Sequence, residues 1–241
     1  MSGHSKWATI KRKKAAVDAK RGKIFTRLIK EITIAARHGG GDPEGNPRLR
    51  LAVDNAKAAN MPADNIERAI KKATGELEGA QYHEVMYEGY GPGGTAIIVE
   101  AATDNKNRTT AEVRHIFGKY HGTMGESNSV AWMFERKGIV TVKRNGKPED
   151  EMMELVIDAG ADDLITDEEY FEVKTSIESF EPSRKFLAGK KLEIENASLQ
   201  WVAKNHLSVN DEHSEQLMKL IEAIEECDDV QNVFTNADFV D

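Results

Sequence analysis

Ile139-Val-Thr-Val142, Asp163-Leu-Ile-Thr166 and Phe171-Glu-Val-Lys-Thr175 are three short runs rich in β-branched and aromatic residues, and their reading decides the fold. Between the first and second, Glu149 to Ala159 places apolar residues at helical spacing. After the third, Pro182 to Leu187 reads as a short helix opened by proline, and Leu192 to Val202 as a further strand. The order β-α-β-β-α-β is the ferredoxin-like pattern, two split βαβ units sharing one sheet.

Working outward, Glu84 to Glu88, Thr95 to Ala102 and Val130 to Phe134 read as strands, with a helix from Asn107 to Tyr120 before the third. That β-β-α-β unit is incomplete. A helix at Glu212 to Glu226 and a strand at Gln231 to Thr235 are left over at the C-terminal end, and they supply the missing sheet-and-helix layer. The ferredoxin-like unit is therefore expected to be inserted into the middle domain. Upstream, Lys23 to His38 aligns Ile24, Phe25, Leu28, Ile29, Ile32, Ala35 and Ala36 on one helical face, with Gly39 as its stop. Asn46-Pro47 caps and opens a second helix to Asn60, and Pro62 starts a third that ends at Gly75. Ala8 to Arg21 offers only Trp7, Ile10 and Val17 as an apolar stripe, too little for a secure helix, so it is expected to be mobile or conditionally ordered. The expected fold is α+β and multidomain. It has a basic three-helix domain at residues 1–77, a discontinuous α+β domain at 78–137 and 206–241, and an inserted ferredoxin-like domain at 138–205.

At 241 residues, with 39% apolar and 31% charged side chains, the chain has enough hydrophobic material for packed cores. Its single cysteine, Cys227, excludes an intrachain disulfide and fits a reducing, cytoplasmic compartment. Apolar runs such as Thr95 to Val99 are far short of the ~20 residues of a membrane helix, so no membrane partner is expected. The net charge of −8 conceals a strong polarity. Residues 1–74 hold 17 basic and 7 acidic side chains, whereas residues 145–241 hold 8 and 25. Residues 1–37 alone carry a net +9, a density that self-repulsion makes costly without a counter-charge. The pattern implies a basic module for a polyanion joined to a body that repels it.

The basic residues come in clusters: His4, Lys6 and Trp7, then Lys11, Arg12, Lys13 and Lys14, then Lys20, Arg21, Lys23 and Arg27. Lys and Arg neutralise phosphates and release counterions. Trp7 reads equally as a stacking surface for an unpaired base and as an anchor for the first helix. Arg48 and Arg50 join the candidates from the second helix. Arg108 joins from Asp104-Asn-Lys-Asn-Arg108-Thr-Thr110, where helix amides and a guanidinium suit a phosphate, although plain capping explains that cluster better. Gly89-Tyr-Gly91-Pro-Gly-Gly94 meets the spacing G-x-G-x-x-G, but strand residues follow where a dinucleotide loop needs a helix. It reads as a glycine-rich hairpin with Tyr87 and Tyr90 at an exposed tip. The histidines lack metal-ligand spacing, and no nucleophile elbow or Walker lysine is present. Cys227 lies among carboxylates that raise its pKa. No catalytic residue, metal, cofactor or small-molecule substrate is expected.

These stretches resemble the YebC/PmpR family across essentially the whole chain. The densest matches are Gly3-His-Ser-Lys-Trp7, Lys20-Arg-Gly-Lys-Ile-Phe25, Gly39-Gly-Gly-Asp-Pro43, Asn46-Pro-Arg-Leu49, Asn60-Met-Pro62, Tyr87-Glu-Gly-Tyr-Gly-Pro-Gly-Gly94 and Asp104-Asn-Lys-Asn-Arg-Thr109. Bacterial members of that family are regarded as probable transcriptional regulators, and it is related to a mitochondrial translational activator. The resemblance implies three domains in a non-enzymatic cytoplasmic protein acting on gene expression, either at promoter DNA or on RNA and the ribosome. The residues favour RNA slightly. The helix from Asn46 to Asn60 is a poor recognition helix, with Arg48 and Arg50 crowding its first turn. A basic arm of about 22 residues reaches ~70 Å when extended, enough to probe a ribonucleoprotein crevice. A protein-protein adaptor working through the acidic C-terminal surface is a third reading.

Overall fold

The computed structural model describes residues 19–239, with side chains from residue 22 onward. The expected weak helix ahead of Ala19 lies outside the described residues. Helix α1 spans Ala19–Gly39, α2 Pro47–Ala58 and α3 Ala63–Ala73, and they pack around Ile32, Leu49, Ala52, Ala56, Ile66 and Ala69. The α1–α2 turn depends on the buried Asn46. Its Oδ1 accepts the Leu49 N–H at 3.1 Å, capping α2, while its Nδ2 donates to the carbonyls of Ala35 and Gly40. Gly39 is required there, since a Cβ would stand 2.7 Å from the Asn46 amide nitrogen.

The middle layer is built by β1 (His83–Tyr90), β2 (Ala96–Thr103), α4 (Lys106–Lys119) and β3 (Thr123–Met124). The inserted layer contains β4 (Phe134–Lys143), α5 (Glu149–Asp158), β5 (Asp163–Thr166), β6 (Tyr170–Thr175), α6 (Ile177–Gly189) and β7 (Ile194–Ala203). The chain then returns through β8 (Leu207–Val209), α7 (Asp211–Glu226), β9 (Val230–Thr235) and β10 (Ala237–Phe239). The first sheet has the order β3-β1-β2-β9, so the last long strand pairs antiparallel with β2 and α7 covers the sheet beside α4. The second sheet has the order β5-β6-β4-β7, all antiparallel, which is the ferredoxin-like arrangement. Fold class and insertion are as the sequence implies.

Three local expectations are corrected. Val130 to Phe134 is not a strand of the first sheet. Ala131–Met133 forms a 3₁₀ turn, Phe134 opens β4, and the short β3 takes the place beside β1. The helix read as starting at Pro182 begins at Ile177, because the Ser176 side chain caps it at the Ser179 N–H, and proline is tolerated inside. Tyr87 is buried against the first core with its hydroxyl 3.0 Å from that of Thr110, leaving Tyr90 as the exposed tyrosine of the hairpin. The hairpin itself is as expected, β1 and β2 joined through a 3₁₀ turn at Pro92–Gly94.

Candidate nucleic-acid interface

His4, Lys6, Trp7, Lys11, Arg12, Lys13 and Lys14 lie outside the described residues, and the side chains of Lys20 and Arg21 likewise. The remaining candidates can be followed atom by atom. Arg27, on α1, donates to the Glu225 carbonyl at 2.7 Å, placing a cation at the C-terminal end of α7 where the helix dipole favours it. Lys23, one turn earlier, stands in the field of Asp228 and Glu226, but burial and Arg27 lower its pKa.

One turn further on, Lys30 is 5% exposed and uses all three ammonium protons, on Asp229 Oδ1 (2.8 Å), the Asp228 carbonyl (2.8 Å) and the Ala102 carbonyl (3.0 Å). Its ammonium also lies 5.3 Å from the Tyr82 ring centre. The other oxygen of Asp229 accepts from Arg108 (2.7 Å), Thr109 (2.7 Å) and Thr103 (3.1 Å). Arg108 also pairs with Asp104, while Asn105 caps α4 at the Arg108 N–H. The Asp104 to Thr110 cluster is therefore a capped helix start whose guanidinium closes on the chain's own carboxylates. Burial alone would raise the Asp229 pKa. Lys30, Arg108 and Thr109 outweigh it and hold the carboxyl well below the usual range.

That shift has a definite pH consequence. The stabilisation from Asp229 is fully present above the unfolded carboxylate value of about 3.9 and is lost as pH falls through the lower folded value. In an acid titration followed by calorimetry, Asp229→Asn is expected to flatten the loss of stability below about pH 4.

Arg48 forms a fork on Glu84, at 2.6 and 3.1 Å, and its Nε donates to Glu31 at 3.0 Å, tying α1 and α2 to β1. Arg50 faces Glu44 and Glu181. On the same helix, Asn55 bonds both the N–H and the carbonyl of Ala197 on the edge strand β7, and Asp54 pairs with Arg184 at 2.8 Å. Arg27, Arg48, Arg50 and Arg108 thus do not form one basic surface; each is engaged at a separate seam. A cleft of about 400 Å³ opens between α1, α4 and α7, lined by Lys30, Arg108, Tyr82 and five carboxylates including Asp104, Glu112 and Asp228. Its charge balance is unfavourable to phosphate. Cys227 is buried nearby, and burial first, then Glu112, pushes its thiol up to about 11, which makes it a poor nucleophile.

Sequence reasoning missed Lys30 and Asp229 as the centre of this network, since no local pattern joins residues 199 positions apart. It also missed Glu88, which is 2% exposed and buries its carboxylate under the segment before β4. Among the described residues there is no group of side chains able to hold a metal ion, and no helix long and apolar enough to cross a membrane.

Fold and site together define a multidomain α+β protein whose helical domain is fastened by ion pairs to two sheet layers. Family models described as "TACO1/YebC protein N-terminal domain" and "TACO1/YebC second and third domain" match residues 5–76 and 82–237. The chain belongs to the TACO1/YebC family. A "probable transcriptional regulatory protein" of Chlorobaculum tepidum is 57% identical, covering 99% of this chain and 95% of its own. Another of that description, from Gemmatimonas aurantiaca, is 56% identical over 100% of this chain and 98% of its own. The crystal structure of a conserved hypothetical protein from Aquifex aeolicus superposes with a TM-score of 0.88 at 48% identity, covering 92% of both chains.

Proposed function

We propose that the chain is a non-enzymatic regulator of gene expression that binds nucleic acid through its basic N-terminal residues, with RNA as the preferred target. The observation that carries this is the engagement of Arg27, Arg48, Arg50 and Arg108 by carboxylates and carbonyls of the chain itself. Phosphate would have to displace those partners. The dense basic run from Lys6 to Lys23 is then the feature best suited to a polyanion, and the acidic C-terminal half opposes wrapping by the rest of the molecule. The relatives' printed names favour a second reading, a transcriptional regulator on promoter DNA.

Replacing Lys11, Arg12, Lys13 and Lys14 together by Ala tests the arm. Binding should weaken on every nucleic acid, and the slope of log affinity against log salt should fall by up to about 3 on single strands (~0.7 per phosphate contact). The melting temperature should stay nearly constant, because exposed charges contribute little to folding. Equal affinity of wild type and variant at matched salt removes the arm from the site. Trp7→Ala then separates the targets. Stacking on a splayed base is worth roughly 1–3 kcal/mol, so the loss should be about tenfold or more on RNA with unpaired loops and at most a few-fold on duplex DNA. A tight, sequence-dependent duplex complex that survives Trp7→Ala would return the protein to the promoter.

A further inference from the structure

The segment between β3 and β4 has few ladder bonds of its own, and one buried carboxylate takes up three of its N–H groups. Glu88, on β1, accepts the N–H groups of Asn128 (2.7 Å), Val130 (2.8 Å) and Ala131 (2.7 Å) on its carboxylate, while its carbonyl accepts the N–H of Gly125. Val130 is fully buried beneath the segment, and Asn128 takes the left-handed conformation at φ 67° that the turn requires.

Two aromatic rings meet at this anchored segment, Trp132 on the segment itself and Tyr90 at the end of β1. Trp132 is 64% exposed, the most exposed aromatic ring among the described residues, and Tyr90 is 37% exposed. Both spend their polar hydrogen on one acceptor: the Tyr90 hydroxyl and the Trp132 Nε1–H donate to the Ser129 carbonyl at 3.0 and 3.1 Å. Their polar edges are therefore no more than about 6 Å apart, and each ring is oriented by a bond within the protein. What they leave open is aromatic surface. Lys204, an exposed residue, donates one of its three ammonium hydrogens to the Trp132 main-chain carbonyl at 2.9 Å, which brings a cation to the same residue. Residues 121–134 contain one acidic side chain, Glu126, in a half of the molecule otherwise rich in carboxylates.

A planar partner carrying negative charge fits this arrangement: an unpaired base offers a face to stack, and its phosphate offers an anion to the ammonium. A paired duplex offers no open face. We propose that Trp132 and Tyr90 form a stacking platform for unpaired bases, with Lys204 beside a phosphate. The proposal rests on the RNA reading above and adds a second contact to it. The platform lies at the far end of β1 from the helical domain, which grips the strand at Glu84, about 20 Å away at ~3.4 Å per residue. One strand held by arm and platform gains by local concentration.

The test uses the full chain, a single-stranded 12-mer of adenylate and a paired RNA duplex of equal length, titrated with wild type, Trp132→Ala, Trp132→Phe, Tyr90→Ala and the quadruple arm variant. Trp132→Ala is expected to weaken single-strand binding by about five-fold to a hundred-fold, with the salt slope unchanged because stacking releases no counterions. Trp132→Phe should recover most of the loss, and duplex binding should move by less than twofold. If the ring variants bind the single strand like wild type while the arm variant does not, the platform is refuted and the arm reading stands. Failure of wild type to bind either RNA would overturn both.

Discussion

Asp229→Ala is expected to lower stability by about 3–5 kcal/mol, because it removes one partner of a buried ion pair and strands the other. Lys30 loses its carboxylate in a site where it is 5% exposed, and Thr103, Thr109 and Arg108 lose their common acceptor in the same step. Arg108 is exposed enough to find water. Lys30 is not, and it is held facing two carbonyls whose attraction does not replace a full negative charge. Lys30→Met should cost less than Asp229→Ala, since Asp229 then keeps Arg108 and both hydroxyls. In the double variant Asp229→Ala/Lys30→Met the costs should fall short of additivity by about 0.5–3 kcal/mol, the mark of two groups in one network. Calorimetry reads all three, and a loss below about 1 kcal/mol for Asp229→Ala would show that the seam is held by packing alone. Limited proteolysis locates the damage, since the network joins α1 to β2, α4 and the α7–β9 turn.

The same network shows where sequence reading ends. The helical domain was legible because Leu28, Ile29, Ile32 and Ala36 in one helix, and Ile66, Ala69, Ile70 and Ala73 in another, recur at helical spacing, and the caps Asn46 and Gly39 stand at the ends. The ferredoxin-like unit was legible because alternation changed to helical period and back in a recognisable order, and the leftover helix and strand had one incomplete partner. A guanidinium in a sequence, by contrast, carries no sign of what it faces. Arg48 meets Glu84 across 36 residues and Arg108 meets Asp229 across 121, so charges that looked available to phosphate in the chain are already paired in the fold. The misread strand at Val130 to Phe134 has a related cause. Val130 to Phe134 is a short run of apolar residues that reads like a strand, yet Trp132 points to solvent. The N–H groups of Val130 and Ala131, which a ladder would use, are instead taken by the carboxylate of Glu88. A remote acid replaced the neighbouring strand as acceptor.

Glu88→Ala should therefore cost about 3 kcal/mol, because it leaves three backbone donors without an acceptor, two of them on Val130 and the residue after it. Glu88→Gln keeps the shape but turns an amide N–H₂ toward one of those donors, so its cost should be intermediate. The loss is expected to be local. Hydrogen exchange should accelerate for the amides of Asn128, Val130 and Ala131, while those of β2 and α7 keep their protection. The effect should also reach the rings. Ser129, whose carbonyl orients both Tyr90 and Trp132, lies between two of the anchored amides, so releasing the segment releases both rings. Single-strand binding should then fall by about as much as in Trp132→Ala, although Glu88 is buried and touches no ligand. Glu88 would in that case act as a positioning residue, and Trp132→Ala added to Glu88→Ala should bring little further loss. Unchanged exchange at residues 128–131 in Glu88→Ala would mean that the segment holds its shape without the carboxylate, and that the rings are oriented by their own bonds to Ser129.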